Sequence, residues 1–267
     1  MNRFAKGFQT IWIVCVLVIL YLPVLILSFY SFTSATMIGA VRGFSLQNYV
    51  TLFTEEELIS MMVGTLLLAL VVAVLSTILG TLGAIGAFYS KKGIRLGVEL
   101  SNQIPVVNAD VVTGFSVCIL MIAVFHLKKE TYIPLVVGQT ALCAPFVYLS
   151  VLPRLKQMDS QLYEAALDLG CKPMQALIKI VLPQIAPAIF SGFMTAVTLS
   201  LDDYFIATYT KPATFDTIST YVVNATRGAQ TSIKTALWAL SAIIFLLVIV
   251  AVVLMNVLGK QEGEREL

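Results

Sequence analysis

Long apolar runs separated by short polar segments dominate the chain. A membrane-spanning helix needs about 20 consecutive, mostly apolar residues. Six segments reach that length, at residues 11–32, 61–89, 104–125, 132–152, 185–206 and 235–258. The pattern predicts an all-α integral membrane protein with six transmembrane helices in a single domain, residues 1–267.

Composition supports lipid as the main solvent of the chain. The 267 residues are 58% hydrophobic and only 12% charged, with a mean hydropathy of +0.91. A soluble domain carries about a quarter charged residues. The net charge of +2 is too small to suggest a nucleic-acid partner.

Lysine and arginine positions predict the orientation. With the N-terminus in the cytoplasm, eleven of the 17 Lys and Arg residues lie on the cytoplasmic side and six lie outside. This bias predicts cytoplasmic N- and C-termini, which agrees with an even number of spans. The first apolar run follows Arg3 and Lys6 but is too long for a typical secretory signal, so we expect a retained helix.

The sequence offers few side chains for catalysis or metal binding. His126 is the only histidine, and the four cysteines form no CxxC pair, so neither a metal site nor a catalytic set is indicated. The sequence has no G-x-x-x-x-G-K-[ST] phosphate loop. We therefore expect no cofactor in this chain; if its activity uses ATP and Mg²⁺, a partner protein binds them.

The predicted cytoplasmic loop 153–183 has the pattern of a short amphipathic helix. Asp159 is a good N-cap, and Gly170 occupies the position of a left-handed C-terminal residue. Pro173 is expected to open a second short helix, and Pro183 to mark the entry to the fifth span. The apolar face of the first helix comprises Leu162, Ala165, Ala166 and Leu169, opposite Glu164 and Asp168. That face needs a partner groove, the bilayer surface or the rest of the chain.

A sequence motif in this loop carries a resemblance to a known family. The pattern E-A-A-x3-G-x9-I-x-L-P resembles the signature loop of ABC importer permeases of the binding-protein-dependent type I (MetI-like) family. The matching residues are Glu164, Ala165, Ala166, Gly170, Ile180, Leu182 and Pro183. The resemblance implies that the loop is a coupling helix, docked in a groove of a cytoplasmic ATPase.

The same resemblance implies the partners and the location of the chain. Members of this family work with a pair of ABC ATPase subunits, a second homologous permease and an extracytoplasmic solute-binding protein. They lie in the bacterial cytoplasmic membrane as multi-pass proteins and translocate solute by alternating access. They do not hydrolyse ATP themselves.

Two further segments resemble one branch of the family. Residues 198–203, T-L-S-L-D-D, together with the loop motif, resemble the spermidine/putrescine permeases of the PotC type. The segment G-F-S-L-Q-N-Y at residues 43–49 looks like the outer amphipathic segment common in these permeases. The resemblance implies polyamine import, although the Asp-Asp pair also occurs in relatives that carry other solutes.

Three acids in predicted spans are candidates for the substrate path. A carboxylate at mid-bilayer costs about 2.5–3.5 kcal/mol on insertion scales, so Asp110, Asp202 and Asp203 should face the bundle interior or water. Tyr204 is expected either to add a cation–π contact or to belong to an interfacial belt of aromatic residues. Alternatively, Asp110 is a structural acid bonded to a loop Arg or Lys, and one of the paired acids caps a helix or binds Lys211.

Pro105 is expected to break or kink the start of the third span. Broken helices often line transport sites, so this supports a path near Asp110. The acidic run Glu55–Glu57 is expected to form a solvated face, with contact to an external receptor as a second use.

Two alternative functions remain open at the level of sequence. One is the same permease role for another solute, such as an amino acid derivative, an iron chelate, or a sulfur or phosphorus compound. The other is an ion-coupled secondary transporter, which predicts uptake without ATP and an inverted repeat that the sequence does not display.

Overall fold

The computed structural model describes residues 3–35, 43–128, 130–227, 235–246 and 249. Over these residues the chain is helical, and its only extended pairing is an isolated bridge between Thr33 and Phe44. The all-α prediction is therefore confirmed. The chain forms two compact units, residues 61–221 and a second unit of residues 1–60 with 222–267.

The helices of the described residues follow one another in this order: α1 (Arg3–Ser31), α2 (Gln47–Thr54), α3 (Glu56–Tyr89), α4 (Lys92–Val107), α5 (Asp110–Ile119) with a π turn at Leu120–Val124, α6 (Ile133–Gln157), α7 (Ser160–Asp168), α8 (Pro173–Ala176) with a π turn at Leu177–Val181, α9 (Leu182–Asp202), α10 (Phe205–Thr210), α11 (Ile218–Arg227) and α12 (Thr235–Leu246).

Four helical segments of the described residues are long and apolar enough to cross a membrane. They are Trp12–Ser31 in α1, all of α3, all of α6, and the run Pro173–Asp202. Taken together, α4 and the following run Asp110–Val124 are also long and apolar enough, with the sharp bend of a broken span or a re-entrant loop. Helix α12 starts where the sixth span is predicted, but residues 247–248 and 250–258 of that span lie outside the described residues.

The sequence predicts the third span as one helix over residues 104–125, but the structure has two helices there. Helix α4 ends at Val107, α5 begins at Asp110, and their axes differ by 107°. Pro105 lies inside α4 and is not the break, because proline removes one helical donor but keeps a helical φ. The chain turns at Asn108 and Ala109, whose ψ angles of 146° and 134° are extended.

The fifth span also differs from its predicted bounds of 185–206. Its helical run begins at Pro173 and ends at Asp202, so Pro183 lies inside the run rather than at its entry. The π turn at Leu177–Val181 directly precedes the α9 segment that contains Pro183. Such wider turns occur as bulges within α-helices, where they leave some backbone groups without α-helical partners.

Helices α6 and α9 pack together and hold the core of the unit formed by residues 61–221. Val147, Val151 and Ile185 in this core are fully buried. Gly192 allows the close approach, since a Cβ there would lie 3.2 Å from the Val147 Cα. Small residues at helix contacts are typical of membrane bundles. Helices α4 and α5 pack on α6, and α7 packs on the π turn that precedes α9.

Candidate functional site

Helix α7 begins and ends with local hydrogen bonds that its sequence predicts. The Asp159 carboxylate accepts a 2.9 Å bond from the Gln161 N–H, which caps the first turn. Gly170 has a φ of +88°, the left-handed conformation that glycine adopts without strain. The N–H groups of Gly170 and Cys171 bind the carbonyls of Leu167 and Ala166, at 2.9 and 3.0 Å, in a Schellman motif.

The predicted apolar face of α7 divides into two parts. Ala166 is only 3% exposed and is buried against this chain, whereas Leu162 is 44% exposed and Leu169 is 87% exposed. Ala165 and Glu164 are also exposed. Part of the predicted face is therefore anchored on this chain, and the rest is free to contact another surface.

An aromatic pair fastens α7 to the end of α3. The ring centroids of Tyr163 and Tyr89 lie 5.0 Å apart, a distance typical of interacting rings. Tyr163 also packs on the buried core of its unit. A displacement of α7 therefore acts directly on the end of a spanning helix. Sequence reasoning missed this pair, because neither tyrosine belongs to the motif.

The rest of the signature motif lies on the helical run that follows α7. Pro173 is the first residue of α8, as predicted, and the Gln175 side chain accepts a 3.2 Å bond from the Lys172 N–H. Ile180 and Leu182 are half-buried, and Pro183 is exposed. Because this run continues into α9, the loop is joined to the core by unbroken helix.

The break between α4 and α5 forms a second distinctive region. An open groove lies beside it, lined by Leu100, Gln103, Ile104, Val107 and Asn108. Asp110 follows in the first turn of α5, where the helix dipole favours a carboxylate. Asp110 is exposed, and no hydrogen bond or ion pair to it occurs among the described residues. Sequence reasoning found Asp110 but missed the groove, although its apolar members repeat at helical spacing.

Asp203 is a structural acid that caps α10. It is 7% exposed, and its two oxygens accept 3.0 Å bonds from the N–H groups of Ile206 and Ala207. A third bond of 2.9 Å comes from the side-chain amide of Gln139 on α6. The Gln139 oxygen accepts in turn from the Ser200 hydroxyl at 2.8 Å. The carboxylate is thereby satisfied within the protein.

Asp202 and Tyr204, the neighbours of Asp203 in the sequence, lie in a different environment from Asp203. Asp202 is exposed, without a hydrogen bond or ion pair among the described residues, and Tyr204 is half-buried beside Phe205. Lys211 binds Asp216 at 2.9 Å rather than either adjacent acid. The two adjacent acids thus lie in different environments, because Asp202 ends α9 whereas Asp203 has an extended backbone with a ψ of 113°.

Asp110 and Asp203 belong to elements that pack together. Helix α5 lies against α10, where a Cβ on Gly114 would come within 2.9 Å of the Ile206 Cα. No described contact joins Asp202 to Asp110. Of the three acids, Asp110 and Asp202 have no hydrogen bond or ion pair among the residues that the structure describes. The Glu55–Glu57 run is exposed, as expected.

Comparison with known proteins places these features in context. Residues 81–261 match the family described as binding-protein-dependent transport system inner membrane component. The chain is 31% identical to the putrescine transport system permease protein PotI of Escherichia coli, over 78% of this chain and 76% of that protein. It is 28% identical to the spermidine/putrescine transport system permease protein PotC of Haemophilus influenzae, over 91% and 93% of the two chains.

A solved structure shares the fold. The chain superposes on a bacterial ABC transporter involved in the import of the acidic polysaccharide alginate, with a TM-score of 0.71 and 21% sequence identity. The match covers 97% of this chain and 99% of the other.

Proposed function

This chain belongs to the binding-protein-dependent inner membrane components, the permeases of ABC importers, and from that premise we propose that its solute is a polyamine. It is a multi-pass membrane transport subunit that works with an ATPase and a solute-binding protein. The functions named for the PotI and PotC relatives, transport of putrescine and of spermidine/putrescine, support this choice of solute.

The observation that carries the solute proposal is the division among the three acids. Asp110 and Asp202 have exposed carboxylates without partners in the described residues, whereas Asp203 is bonded inside the protein. A polyamine carries ammonium groups spaced along a flexible chain, which separated carboxylates can bind one at a time. A low dielectric strengthens each such pair. The ring of Tyr204, two residues after Asp202 in the sequence, offers a cation–π face.

The groove beside the helix break supports a path for the aliphatic part of the solute. Its lining residues Leu100, Ile104 and Val107 are apolar, and Gln103 and Asn108 are polar. The methylene segments between ammonium groups are apolar, so such a mixed surface fits them. Irregular backbone at membrane depth is tolerated where it lines a cavity, which agrees with this assignment.

We assign ATPase coupling to α7. Its exposed residues Leu162, Ala165 and Leu169 fit an apolar groove on a cytoplasmic ATPase, and Ala166 with Tyr163 anchors the helix to this chain. ATP and Mg²⁺ bind to that ATPase pair. When the pair closes, it moves α7, and the contacts of α7 with the end of α3 carry the motion into the spans. The path then opens alternately to the two sides.

The assembly that we propose contains one ATPase pair, a second homologous permease and an extracytoplasmic solute-binding protein. The chain spans the bacterial cytoplasmic membrane. Both of its termini lie in the cytoplasm, because this orientation puts most of the Lys and Arg residues on the cytoplasmic side.

The proposal is tested by uptake of labelled spermidine and putrescine into cells that lack their own polyamine import. The cells express this chain with its receptor, second permease and ATPase, and a control omits only this chain. Uptake that requires both this chain and ATP supports the proposal. An assembled complex that hydrolyses ATP but takes up neither compound would retain the permease role and reject the polyamine. Uptake without ATP would indicate ion coupling.

A further inference from the structure

An ion pair joins helix α4 to the last turn of α6. The Lys156 ammonium lies 3.7 Å from the Glu99 carboxylate, and that carboxylate also accepts a 3.2 Å hydrogen bond from the Arg95 side chain on its own helix. Among the residues that the structure describes, Lys156 and Glu99 form the only ion pair between two of the long helices. The position of α4 relative to α6 therefore depends on charge.

Helix α4 is held only loosely by packing. None of its 16 residues is buried, whereas α9 has four buried residues. Val98 of α4 packs on the core of the unit, and the Asn102 amide donates to the Pro145 carbonyl of α6 at the long distance of 3.5 Å. Because little apolar surface is buried, the ion pair contributes a large share of what positions α4.

The solute groove lies on the side of α4 that faces away from these contacts. The half-buried residues of α4 are Arg95, Val98, Glu99, Asn102 and Pro105. The groove residues within α4 are exposed, and they are Leu100, Gln103, Ile104 and Val107. At about 100° per residue, the centres of the two sets lie roughly 150° apart around the helix. A shift of α4 against α6 therefore moves the groove.

The other partner of the ion pair lies next to the coupling helix. Lys156 is the second-last residue of α6, and three residues separate it from the start of α7 at Ser160. Three residues span at most about 11 Å, so a displacement of α7 is transmitted to Lys156 with little slack. The contact of Tyr163 with Tyr89 leads from α7 to α3, whereas the Lys156–Glu99 pair leads to α4, the helix that carries the groove.

We propose that the Lys156–Glu99 ion pair is a positioning link, through which a movement of α7 shifts α4 and the solute groove. The two side chains are 45% and 29% exposed. Ion pairs of this exposure change an equilibrium by no more than about fivefold. The link can thus favour one transport state over another without deciding whether the chain folds. This inference rests on the coupling role proposed for α7 but not on the identity of the solute.

A cysteine reporter on α4 tests the link without solute. The four native cysteines are first replaced by alanine, and assembly with the second permease and the ATPase pair is verified by co-purification. Gly97→Cys is then introduced on the exposed surface of α4, where an added Cβ has nothing within 4 Å. The rate of labelling by a water-soluble maleimide is measured for the complex in liposomes, with and without a non-hydrolysable ATP analogue.

The labelling rate at position 97 should change at least threefold when the nucleotide binds. Lys156→Glu and Glu99→Lys, which each turn attraction into repulsion, should remove most of that change. The double variant Glu99→Lys with Lys156→Glu should restore it, because the two helices attract each other again. Lys91→Glu is the control, since it makes the same charge change at an exposed lysine that has no ion pair among the described residues. It should leave the nucleotide effect intact.

Three results would overturn the link. They are an equal nucleotide effect in Lys156→Glu and the unmodified chain, no restoration in the double variant, and no nucleotide effect in the unmodified chain. Gly170→Asp separates the link from the coupling role of α7. A nucleotide effect that persists in Gly170→Asp would reject that role and the link together, whereas its loss there with no effect of Lys156→Glu would reject the link alone. Failure of the polyamine proposal changes none of these outcomes, because no solute is present.

Discussion

The side-chain amide of Gln139 on α6 donates a 2.9 Å hydrogen bond to the carboxylate of Asp203, at the break between α9 and α10. Both groups are buried, and Ser200 on α9 completes the network through the Gln139 oxygen. The network therefore fixes where α9 ends and where α10 begins. The adjacent Asp202 lies outside this network and is exposed.

Gln139→Leu should destabilise the protein. The substitution removes one of three donors to a buried carboxylate and leaves Ser200 without an acceptor, which costs about 1–3 kcal/mol. The measurement is the melting temperature of the purified chain in detergent. Gln157→Leu is the control, because it makes the same change at an exposed position of the same helix. Equal melting temperatures for the two variants would show that the network contributes nothing.

The two adjacent acids should respond differently to the same substitution. Asp203→Asn directs an amide group at backbone N–H donors and should lower the melting temperature, with a cost of about 1–3 kcal/mol. Asp202→Asn should melt like the unmodified chain, since its carboxylate is exposed and unpaired in the described residues. In uptake assays Asp202→Asn should raise the KM for putrescine. Unchanged uptake by Asp202→Asn would remove that residue from the path.

Gly114→Ala should disturb the packing of α5 on α10. A Cβ at position 114 would lie 2.9 Å from the Ile206 Cα, so backbone must move, at a cost of about 1–3 kcal/mol. Gly86→Ala has nothing within 4 Å of the new Cβ and should be neutral or slightly stabilising, because alanine favours helix over glycine. The measurement is the melting temperature of both variants. A larger decrease for Gly86→Ala than for Gly114→Ala would contradict the close packing of α5 on α10.

Leu169→Asn should weaken ATPase binding without unfolding the permease. Leu169 is 87% exposed, so its side chain contributes little to the folded chain. Burying a leucine is worth about 1.5–3 kcal/mol, and its loss should weaken association about tenfold or more. Asp168→Asn, at the neighbouring exposed position, is the control. Co-purification with the ATPase measures the effect, and equal retention by both variants would exclude Leu169 from the contact.

Local features of the fold followed from the sequence, because they depend on neighbouring residues. The cap at Asp159, the left-handed turn at Gly170 and the start of α8 at Pro173 each rest on one residue and its adjacent backbone. The apolar runs likewise predicted the spans of α1, α3 and α6.

Features that depend on residues far apart in the sequence could not be predicted from it. The hydrogen bond from Gln139 to Asp203 joins residues 64 apart in sequence, and no local pattern identifies such a pair. The sequence predicted a break at Pro105, whereas the helix ends at Val107 and the chain turns at Asn108. A proline indicates that one helical hydrogen bond is lost, but it does not show whether the remaining hydrogen bonds continue the helix. The burial of Ala166 beside the exposed Leu169 reflects packing of α7 on its own chain.

The most direct test of the central claim uses purified components. The permease pair and ATPase are reconstituted in liposomes with receptor and labelled putrescine outside and ATP or a non-hydrolysable analogue inside. Gly170→Asp, which places a side chain at a φ of +88°, serves as the uncoupled control. We predict that putrescine accumulates only with ATP and the unmodified chain. Accumulation with the analogue, or with ATP in the Gly170→Asp complex at the normal rate, would contradict ATP-driven transport coupled through α7.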